Sequence, residues 1–415
     1  MMSKLLLKRG NVLHPEDGNF QSACDVLIEG KHIAQVGPNL QPPADTEILD
    51  VEGMTVMPGL IDCHVHVVAS TADIGANAHQ HASLAIIKSL PIMKAMLARG
   101  FTTVRDAGGA DWGLAQAVER ELVPGPRIFC SGKALSQTGG HGDNRKRSDV
   151  LEPCASSLRA GALARIVDGV DNVRLAVREE IQKGAMQIKI MASGGVASPV
   201  DPIANTQYSE EEIKAIVHEA HAANTYVMAH AYTARAIARS VRCGVRTIEH
   251  GNLVDKETAV LMAKERAFAV PTLVTYDALA EHGARYGLPA ESIPKIETVQ
   301  VAGRRSLEIY AEAGVVMAYG SDLLGEMHEY QSQEFVIRAQ VLGNLEAIRS
   351  ATIHAAEVLD RVGVLGTIRP GALADIIVCD GDPLASIDVL AGQGERITHI
   401  IQGGFVRKRP AAHQP

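Results

Sequence analysis

Length, composition and charge limit the kinds of protein that this chain can form. Its 415 residues suffice for a barrel of about 250 to 300 residues and a smaller domain, and the core must be mainly aliphatic because only 4% of residues are aromatic. The net charge of −8, without a basic run longer than the RKR at 145–147, argues against a nucleic-acid partner.

The amino-terminal residues and the cysteines bear on location. Three leucines at 5–7 precede charged residues, and this stretch is too short for a secretion signal or a membrane span. The six cysteines lie far apart without a CxxC pair, so we predict neither a disulfide framework nor a thiolate metal site. We expect a cytoplasmic protein without a membrane partner.

Short β-type segments occupy both ends of the chain. Residues 1–57 contain KLLLKRGNVL, DVLIEGKHIAQVG and EILDVEGMTVM, separated by Gly, Pro and Asp turns. Residues 359–415 contain LADIIVCDGD and THIIQGGFVRK, which also alternate apolar and polar residues. We predict that the two ends pair into one small β-sandwich.

Residues 58–358 have a different pattern, in which eight strand-like segments alternate with helical stretches. The segments are GLIDCHVHVV, FTTVRDAG, RIFCSGKAL, MQIKIMAS, YVMAHAY, RTIEHG, FAVPTL and VVMAYGSD. The clearest helix follows Ser209, which forms a capping box with Glu212, and another is predicted from Asp171 to Gly184. Eight β and α units predict a distorted (β/α)8 TIM barrel, with catalytic residues at the carboxyl ends of the strands.

Two connections are longer than a barrel requires. Residues 136–169 follow the third strand and residues 276–298 follow the seventh. Long loops at the carboxyl ends of strands are common sites of substrate recognition. We interpret them as recognition loops or lids, with plain surface insertions as the alternative.

His64 and His66 lie one residue apart in the first strand segment. Side chains alternate between the faces of a strand, so both imidazoles point to the same side while Cys63 and Val65 point to the other. Two converging imidazoles can hold a metal ion. The alternative is that backbone carbonyls satisfy both rings.

Four further donors lie on other strand segments: Lys189, His230, His250 and Asp322. Each has an ordinary explanation alone, since a strand-end aspartate usually caps a helix and a strand lysine usually meets a carboxylate or solvent. In a barrel, however, all six donors would point into one mouth. Together they predict a metal centre.

This pattern resembles the amidohydrolase superfamily of metal-dependent hydrolases. Its binuclear members carry PGLIDxHxH on strand one, a lysine on strand four, histidines ending strands five and six, and an aspartate ending strand eight, all of which are present here. The segment GTIRPGALADIIVCDGDP resembles the terminal sandwich segment of that family. VRDAGG, TGGHGD, MASGGVASPVDP and HAYT resemble the Xaa-Pro dipeptidase, or prolidase-like, group.

The resemblance implies two Zn²⁺ ions per chain. One ion would bind the strand-one histidines and Asp322, the other would bind the histidines that end strands five and six, and a carboxylated Lys189 would bridge both. A bridging hydroxide would attack the scissile carbonyl, because two cations lower the pKa of bound water to about 7. Asp322 would carry the proton to the leaving nitrogen.

The resemblance also places His141 and Tyr232 near the scissile bond. There they would donate hydrogen bonds to the tetrahedral oxyanion. The alternatives are a loop residue for His141 and a packing aromatic for Tyr232.

A substrate carboxylate would need a cation or a nest of amides. We predict Arg105, at the end of strand two, together with the backbone amides of Ser193, Gly194 and Gly195, because glycines permit close approach. The alternative is that Arg105 pairs with Asp106 or another barrel carboxylate.

The function predicted from these residues is hydrolysis of dipeptides with carboxyl-terminal proline. Xaa-Arg or Xaa-Lys dipeptides and N-acyl amino acids are alternative substrates of the same binuclear centre. Deaminases and imidazolone-type hydrolases resemble the mononuclear branch, which lacks the strand-four lysine, so Lys189 argues against them. A non-catalytic scaffold would have lost ligands, and all six are present. We expect a homo-oligomer, because barrels of this size often associate.

Overall fold

The computed structural model describes residues 4–145, 148, 159–196, 201–286, 288 and 292–410. The chain divides into two compact units. The first runs to Asp62, includes Ala95–Thr103 and resumes at Phe335, and the second comprises Cys63–Lys94 and Val104–Glu334. The predicted division into a sandwich at 1–57 and 359–415 and a barrel at 58–358 stays a prediction.

The described residues form seventeen strands, which are numbered in chain order. They are β1 (Lys4–His14), β2 (Asn19–Glu29), β3 (His32–Gly37), β4 (Glu47–Asp50), β5 (Thr55–Pro58), β6 (Leu60–Val65), β7 (Phe101–Asp106), β8 (Arg127–Phe129), β9 (Ala134–Ser136), β10 (Ala164–Ile166), β11 (Ile188–Met191), β12 (Val227–Thr233), β13 (Thr247–Leu253), β14 (Phe268–Val270), β15 (Ile376–Cys379), β16 (Ile397–Gln402) and β17 (Phe405–Lys408).

The same residues form thirteen α-helices. They are α1 (Ile74–Ala78), α2 (Ala82–Ala98), α3 (Trp112–Glu119), α4 (Val170–Gln182), α5 (Glu210–Ala222), α6 (Ala234–Arg242), α7 (Lys256–Lys264), α8 (Leu273–His282), α9 (Ile293–Ala313), α10 (Glu334–Leu342), α11 (Asn344–Ser350), α12 (Ile353–Val358) and α13 (Asp388–Ala391). None of these described helices is both long and apolar enough to cross a bilayer.

The two ends of the chain meet in one eight-stranded sheet in the first unit. Its order is β17-β16-β15-β5-β1-β2-β3, and β4 pairs with β1. The carboxyl-terminal β15 runs antiparallel to the amino-terminal β5, with Ile377 opposite Met57. Aliphatic side chains from both ends, including Val26, Val56 and Ile376, pack in one buried cluster. The two ends of the chain therefore pair with each other in one hydrogen-bonded sheet, and the description of this sheet as a β-sandwich stays a prediction.

The second unit contains parallel strands that correspond to the predicted segments. A six-stranded sheet has the order β10-β9-β11-β12-β13-β14 and is parallel throughout. Strands β6, β7 and β8 form a three-stranded sheet. The third predicted segment is divided into β8 and β9, because Gly132 between them has φ +67° and interrupts the extended conformation. The fold is therefore mixed α/β with parallel strands.

The eighth predicted segment, at 315–322, forms only one β-bridge, from Met317 to Ala269. It is nevertheless hydrogen-bonded on both sides. The amide of Ala318 donates to the carbonyl of Ala269 in β14 at 2.9 Å. The amide of Cys63 in β6 donates to the carbonyl of Tyr319 at 2.7 Å. The segment thus connects to β14 and to β6 without forming a regular strand.

Helix signals in the sequence were accurate to within a residue or two. The capping box is present, since the Ser209 hydroxyl accepts from the amide of Glu212 and the Glu212 side chain accepts from the amide of Ser209. Helix α4 begins one residue before the predicted Asp171, because Gly169, with φ +86°, turns the chain into the helix.

The two long connections have different outcomes. Residues 136–169 lie partly outside the described residues. The second connection, 276–298, is wrong at both ends, because α8 continues to His282 and α9 already begins at Ile293. The connection between the two helices, 283–292, is therefore much shorter than predicted.

Candidate active site

One pocket contains all the predicted metal ligands. Its volume is about 670 Å³, including its open mouth. Six of the residues that line it are the predicted ligands, namely His64, His66, Lys189, His230, His250 and Asp322. Residues from five separate segments of the chain therefore meet at one place. Each of them lies in or next to a predicted strand.

Asp322 lies among three of the histidines. Its Oδ1 atom is 3.4 Å from Nε2 of His64 and 3.3 Å from Nε2 of His66, and its Oδ2 atom is 3.8 Å from Nδ1 of His250. Ligand atoms of His64, His250 and Asp322 all lie within 4.8 Å of one another. Nitrogen and oxygen donors at about 2.0 to 2.2 Å from a divalent cation have separations of this order, so the group fits a metal ion.

His230 lies next to His250, which also belongs to the group around Asp322. Their ring centroids are 4.6 Å apart. Burial is the main cause that holds the pKa of each imidazole well below its ordinary value, and neighbouring histidines act in the same direction. A neutral imidazole is the form that binds a metal, so this environment suits both rings as ligands, and His230 is a donor in addition to the first group.

Lys189 is enclosed in the same pocket, with 1% of its surface exposed. Burial lowers the pKa of its amine to about 8, although the carboxylates of Glu249 and Asp322 act in the opposite direction. A larger fraction of the amine is therefore neutral than for a lysine in water. Only the neutral amine can take up carbon dioxide to give an anionic carbamate, so the residue fits the predicted bridging role.

Glu249 supports the histidine of the first strand. Its Oε2 atom is 2.6 Å from Nδ1 of His64. Burial alone would raise the pKa of the Glu249 carboxyl, but Arg105, His64 and Lys189 together outweigh it and hold the pKa at about 2. An ionised carboxylate on Nδ1 fixes the ring so that Nε2 is the nitrogen available to a metal. Glu249 is a supporting residue that the sequence analysis missed.

Arg105 has a different role from the one predicted. Its side chain is fully buried, with Nε donating to the carbonyl of Cys63 at 2.7 Å and Nη1 donating to Thr247 Oγ1 at 3.1 Å. Its Nη2 donates to both carboxylate oxygens of Glu249, at 2.9 and 3.0 Å. The prediction that Arg105 binds a substrate carboxylate is wrong, because the guanidinium is engaged inside the protein and does not line the pocket. The alternative pairing with a barrel carboxylate is the observed one.

The predicted nest of amides after strand four is also occupied by the protein itself. The amide of Gly194 donates to the carbonyl of Asn205 at 3.0 Å, and the amide of Gly195 donates to Asp201 Oδ2 at 3.1 Å. Ser193 is fully buried, and its hydroxyl donates to the carbonyl of Gly194. The amides of Gly194 and Gly195 are therefore engaged within the protein, and buried Ser193 does not line the pocket, so the prediction of a carboxylate site here is corrected. Gly194 is required because a Cβ there would lie 1.9 Å from the carbonyl oxygen of Pro202.

His141 and Tyr232 both line the pocket. The His141 ring stacks on that of His230, with centroids 4.3 Å apart and planes 17° apart. The Tyr232 hydroxyl is 2.8 Å from the hydroxyl of Tyr276, a pocket residue that the sequence analysis did not identify. Burial raises the pKa of Tyr232 far above its ordinary value, so the hydroxyl keeps its proton and can donate. Both residues are therefore within the pocket in which the predicted role would be needed.

The backbone explains why Glu249 escaped the sequence analysis. Strict alternation places Glu249 and His250 on opposite faces of β13, yet both reach His64. His250 has φ +70°, and Asp322 has φ +51°. Positive φ at non-glycine residues is uncommon and costs about 1 to 3 kcal/mol. Positive φ interrupts the alternation of side chains at these two predicted ligands, and no pattern of residues in the sequence predicts it.

Known proteins are similar to this chain over almost its whole length. The sequence profile of the Amidohydrolase family matches residues 55–406. Ochratoxinase from Aspergillus niger is 31% identical over 428 aligned positions, which cover 98% of this chain and 88% of the relative. The crystal structure of a prolidase complexed with N-methylphosphonate-L-proline is 65% identical with a TM-score of 0.97, covering 98% of this chain and 100% of that one. A Xaa-Pro dipeptidase with bound methionine is 30% identical with a TM-score of 0.87, covering 98% and 100% of the two chains. The chain belongs to the amidohydrolase family.

Proposed function

We propose that this protein hydrolyses the amide bond of dipeptides whose carboxyl-terminal residue is proline. The observation that carries the proposal is the 65% identity to a prolidase that was solved with N-methylphosphonate-L-proline. In that ligand a tetrahedral phosphorus is bonded to the proline nitrogen. It has the shape of the tetrahedral carbon that forms when water attacks an Xaa-Pro bond, and enzymes bind such a shape tightly.

The lining of the pocket favours proline over a basic residue. Aliphatic side chains, including Leu163, Met191, Val196 and Leu279, form part of its wall and suit an apolar pyrrolidine ring. Asp322 is the only carboxylate among the described lining residues, and the histidines surround it. An Arg or Lys side chain of a substrate would find no separate counter-ion there, and burial of an unpaired charge is costly.

The proposal includes a closed barrel around this pocket. Segment 315–322 is hydrogen-bonded to Ala269 on one side and to β6 on the other. The amide of Met186, just before β11, donates to the carbonyl of Cys130, just after β8, at 2.8 Å. These links support a distorted eight-stranded barrel that joins the six-stranded and three-stranded sheets, with the ligands at its carboxyl-terminal mouth.

The donor set supports a centre with two Zn²⁺ ions. His64, His66 and Asp322 would hold one ion, His230 and His250 would hold the other, and carboxylated Lys189 would reach both. When bound, such ions lower the pKa of water and polarise a carbonyl oxygen.

The side chains of the protein then carry the proton and stabilise charge. Asp322 is ionised, because His64 and the other histidines hold its pKa well below the ordinary value despite its burial. Its carboxylate accepts a proton from the attacking water and delivers it to the proline nitrogen as the C–N bond breaks. The new C–O bond gives a free carboxylic acid, and proline leaves as the amine. Tyr232 Oη and a ring nitrogen of His141 donate hydrogen bonds to the oxygen that becomes negative.

The variants Tyr232→Phe and His141→Ala are expected to lower kcat by about 10- to 1000-fold, the scale for loss of one oxyanion donor. Metal content should not change, because neither residue is a predicted ligand. Steady-state kinetics and metal analysis of each variant measure both quantities. Tyr310→Phe is a matched control, since its buried hydroxyl donates to the carbonyl of Gly251 outside the pocket. Wild-type turnover in Tyr232→Phe and His141→Ala would remove both residues from the mechanism.

A panel of substrates tests the proposed function. It contains dipeptides that end in Pro, Arg, Lys or a large apolar residue, and N-acyl derivatives of the same amino acids. We expect the highest kcat/KM for Xaa-Pro, by at least about 10-fold, which is the discrimination that a shaped apolar pocket can supply. A preference for Xaa-Arg, Xaa-Lys or N-acyl amino acids would instead support those alternatives.

A further inference from the structure

We propose that Asp201 is a positioning residue that holds the imidazole of His141 in place over the metal centre. This inference deepens the proposed function, and it rests on that function only for the role assigned to His141. It assigns a task to a buried carboxylate that does not line the pocket and is not among the predicted metal ligands.

Two residues, His230 and Gly195, approach the His141 ring closely. One face stacks on His230 at a centroid distance of 4.3 Å. Gly195 also approaches the ring closely: a Cβ built on it would lie 2.1 Å from the ring atom Cε1, so only glycine leaves room for the ring at this distance. These contacts restrict where the ring can lie, and a partner at a ring nitrogen would also fix which nitrogen faces the pocket.

Asp201 supplies that contact. Its Oδ2 atom is 3.5 Å from Nδ1 of His141, and its side chain is 1% exposed. Nδ1 is enclosed and has no hydrogen-bond partner in the structure, so this carboxylate contact is within ion-pair distance without being a hydrogen bond. With Nδ1 directed at this carboxylate, Nε2 is the ring nitrogen that remains to reach a substrate in the pocket.

The carboxylate is itself held by two donors. Its Oδ2 atom accepts from the amide of Gly195 and from Nε2 of Gln207, both at 3.1 Å. The Oε1 atom of the same Gln207 accepts from the amide of His141 at 2.9 Å. Gln207 thus connects the Asp201 carboxylate to the backbone of His141, the residue that Asp201 orients. All of these groups are buried or nearly so, which restricts their rotamers.

Lys295, in helix α9, binds the backbone of Gly195 and of Asp201. Its ammonium donates to the carbonyl of Gly195 at 3.0 Å and to the carbonyl of Asp201 at 2.8 Å. Gly195 and Asp201, which both contact the His141 ring, are therefore bound by one side chain from a different part of the chain. His141 comes from the motif TGGHGD, and Gly195 and Asp201 come from the motif MASGGVASPVDP, so described residues of both motifs meet in this arrangement.

A double-mutant cycle tests the assignment with Asp201→Asn and His141→Ala. If Asp201 acts through His141, Asp201→Asn should lower kcat/KM by about 10- to 100-fold in the wild-type background, which is the usual effect of losing an orienting partner. In the His141→Ala background the same change should cost less than about 3-fold. Equal losses in the two backgrounds would overturn the proposal.

Two further variants keep the test decisive. Lys295→Met removes the bonds to the carbonyls of Gly195 and Asp201. The loss of kcat/KM that it causes should likewise be smaller in the His141→Ala background, so it replaces Asp201→Asn if that variant does not fold. Glu180→Gln is the matched control, because Glu180 is a buried acid of the same unit that binds Arg165 and lies outside the active-site pocket. Its effect should be small and equal in both backgrounds.

A crystal structure of metal-loaded Asp201→Asn gives a readout that does not need activity. We expect the His141 ring to rotate or to leave its stack on His230. A ring in the wild-type position would overturn the proposal even if activity were lost. Should wild-type protein fail to hydrolyse Xaa-Pro dipeptides, the proposed function would fail while this structural measurement would still decide the role of Asp201.

Discussion

Replacement of Lys189 by methionine is expected to lower kcat/KM by more than about 10³-fold, because water without a bridged metal pair keeps a pKa far above neutral. Methionine preserves the length and the apolar stem of the side chain but removes the nitrogen that would carry the carbamate. The variant should therefore also bind less metal than the wild type. Metal analysis and steady-state kinetics on an Xaa-Pro dipeptide measure both effects.

Lys133→Met is the matched control for this variant. Burial lowers the pKa of Lys133 to about 8, as it does for Lys189, although nearby acids such as Glu180 act in the opposite direction. Its ammonium donates to the carbonyl of Arg159 at 2.9 Å, outside the active-site pocket. We expect wild-type metal content in Lys133→Met. A Lys189→Met protein with full metal content and wild-type turnover would contradict the role of Lys189.

Carboxylation of Lys189 can be measured directly. The intact mass of gently handled, metal-loaded wild-type protein should exceed the sequence mass by one carbon dioxide in addition to the metals, and Lys189→Met should lack this increment. A free amine in the electron density of metal-loaded protein would contradict carboxylation.

The second large effect concerns stability, and it is expected for Arg105→Met. This change leaves the Glu249 carboxylate fully buried without its cationic partner, and loss of one member of a buried pair typically costs about 3 to 5 kcal/mol. We expect the free energy of unfolding to fall by this amount in urea titrations. The affinity for metal should fall as well, because Glu249 also orients His64.

Two controls separate charge burial from lost packing. In Arg105→Met with Glu249→Gln, both charges are removed, so stability should partly recover relative to Arg105→Met alone. Arg178→Met removes the exposed partner of an ion pair with Glu219, and stability should change much less than in Arg105→Met. A single Arg105→Met variant as stable as the wild type would show that the buried pair is not required.

The sequence was informative wherever chemistry follows from local pattern. His64 and His66 share a face because a strand has a period of two, and Ser209 caps a helix because Glu212 follows at the right spacing. The positions of the six donors at or near predicted strands were enough to place them in one pocket. These predictions depend on the short-range geometry of the backbone.

Predictions that depended on long-range partners were less successful. Arg105 could be recognised as important, but its partner Glu249 is 144 residues away in the sequence. Positive φ at His250 brings Glu249 and His250 to the same histidine, against the expected alternation. Gly194 and Gly195 were interpreted as allowing a ligand to approach, whereas they allow the approach of Pro202 and His141. In each case tertiary packing, and not local pattern, decides the contact.

Metal analysis of the purified protein tests the central claim most directly. The claim is that His64, His66, Lys189, His230, His250 and Asp322 together bind two divalent cations. Protein prepared with zinc should contain about two ions per chain, as a two-metal site requires, and a chelator should remove them together with the activity. Fewer than about one ion per chain in active protein, or two ions retained when His64 and His230 are both replaced by alanine, would contradict it.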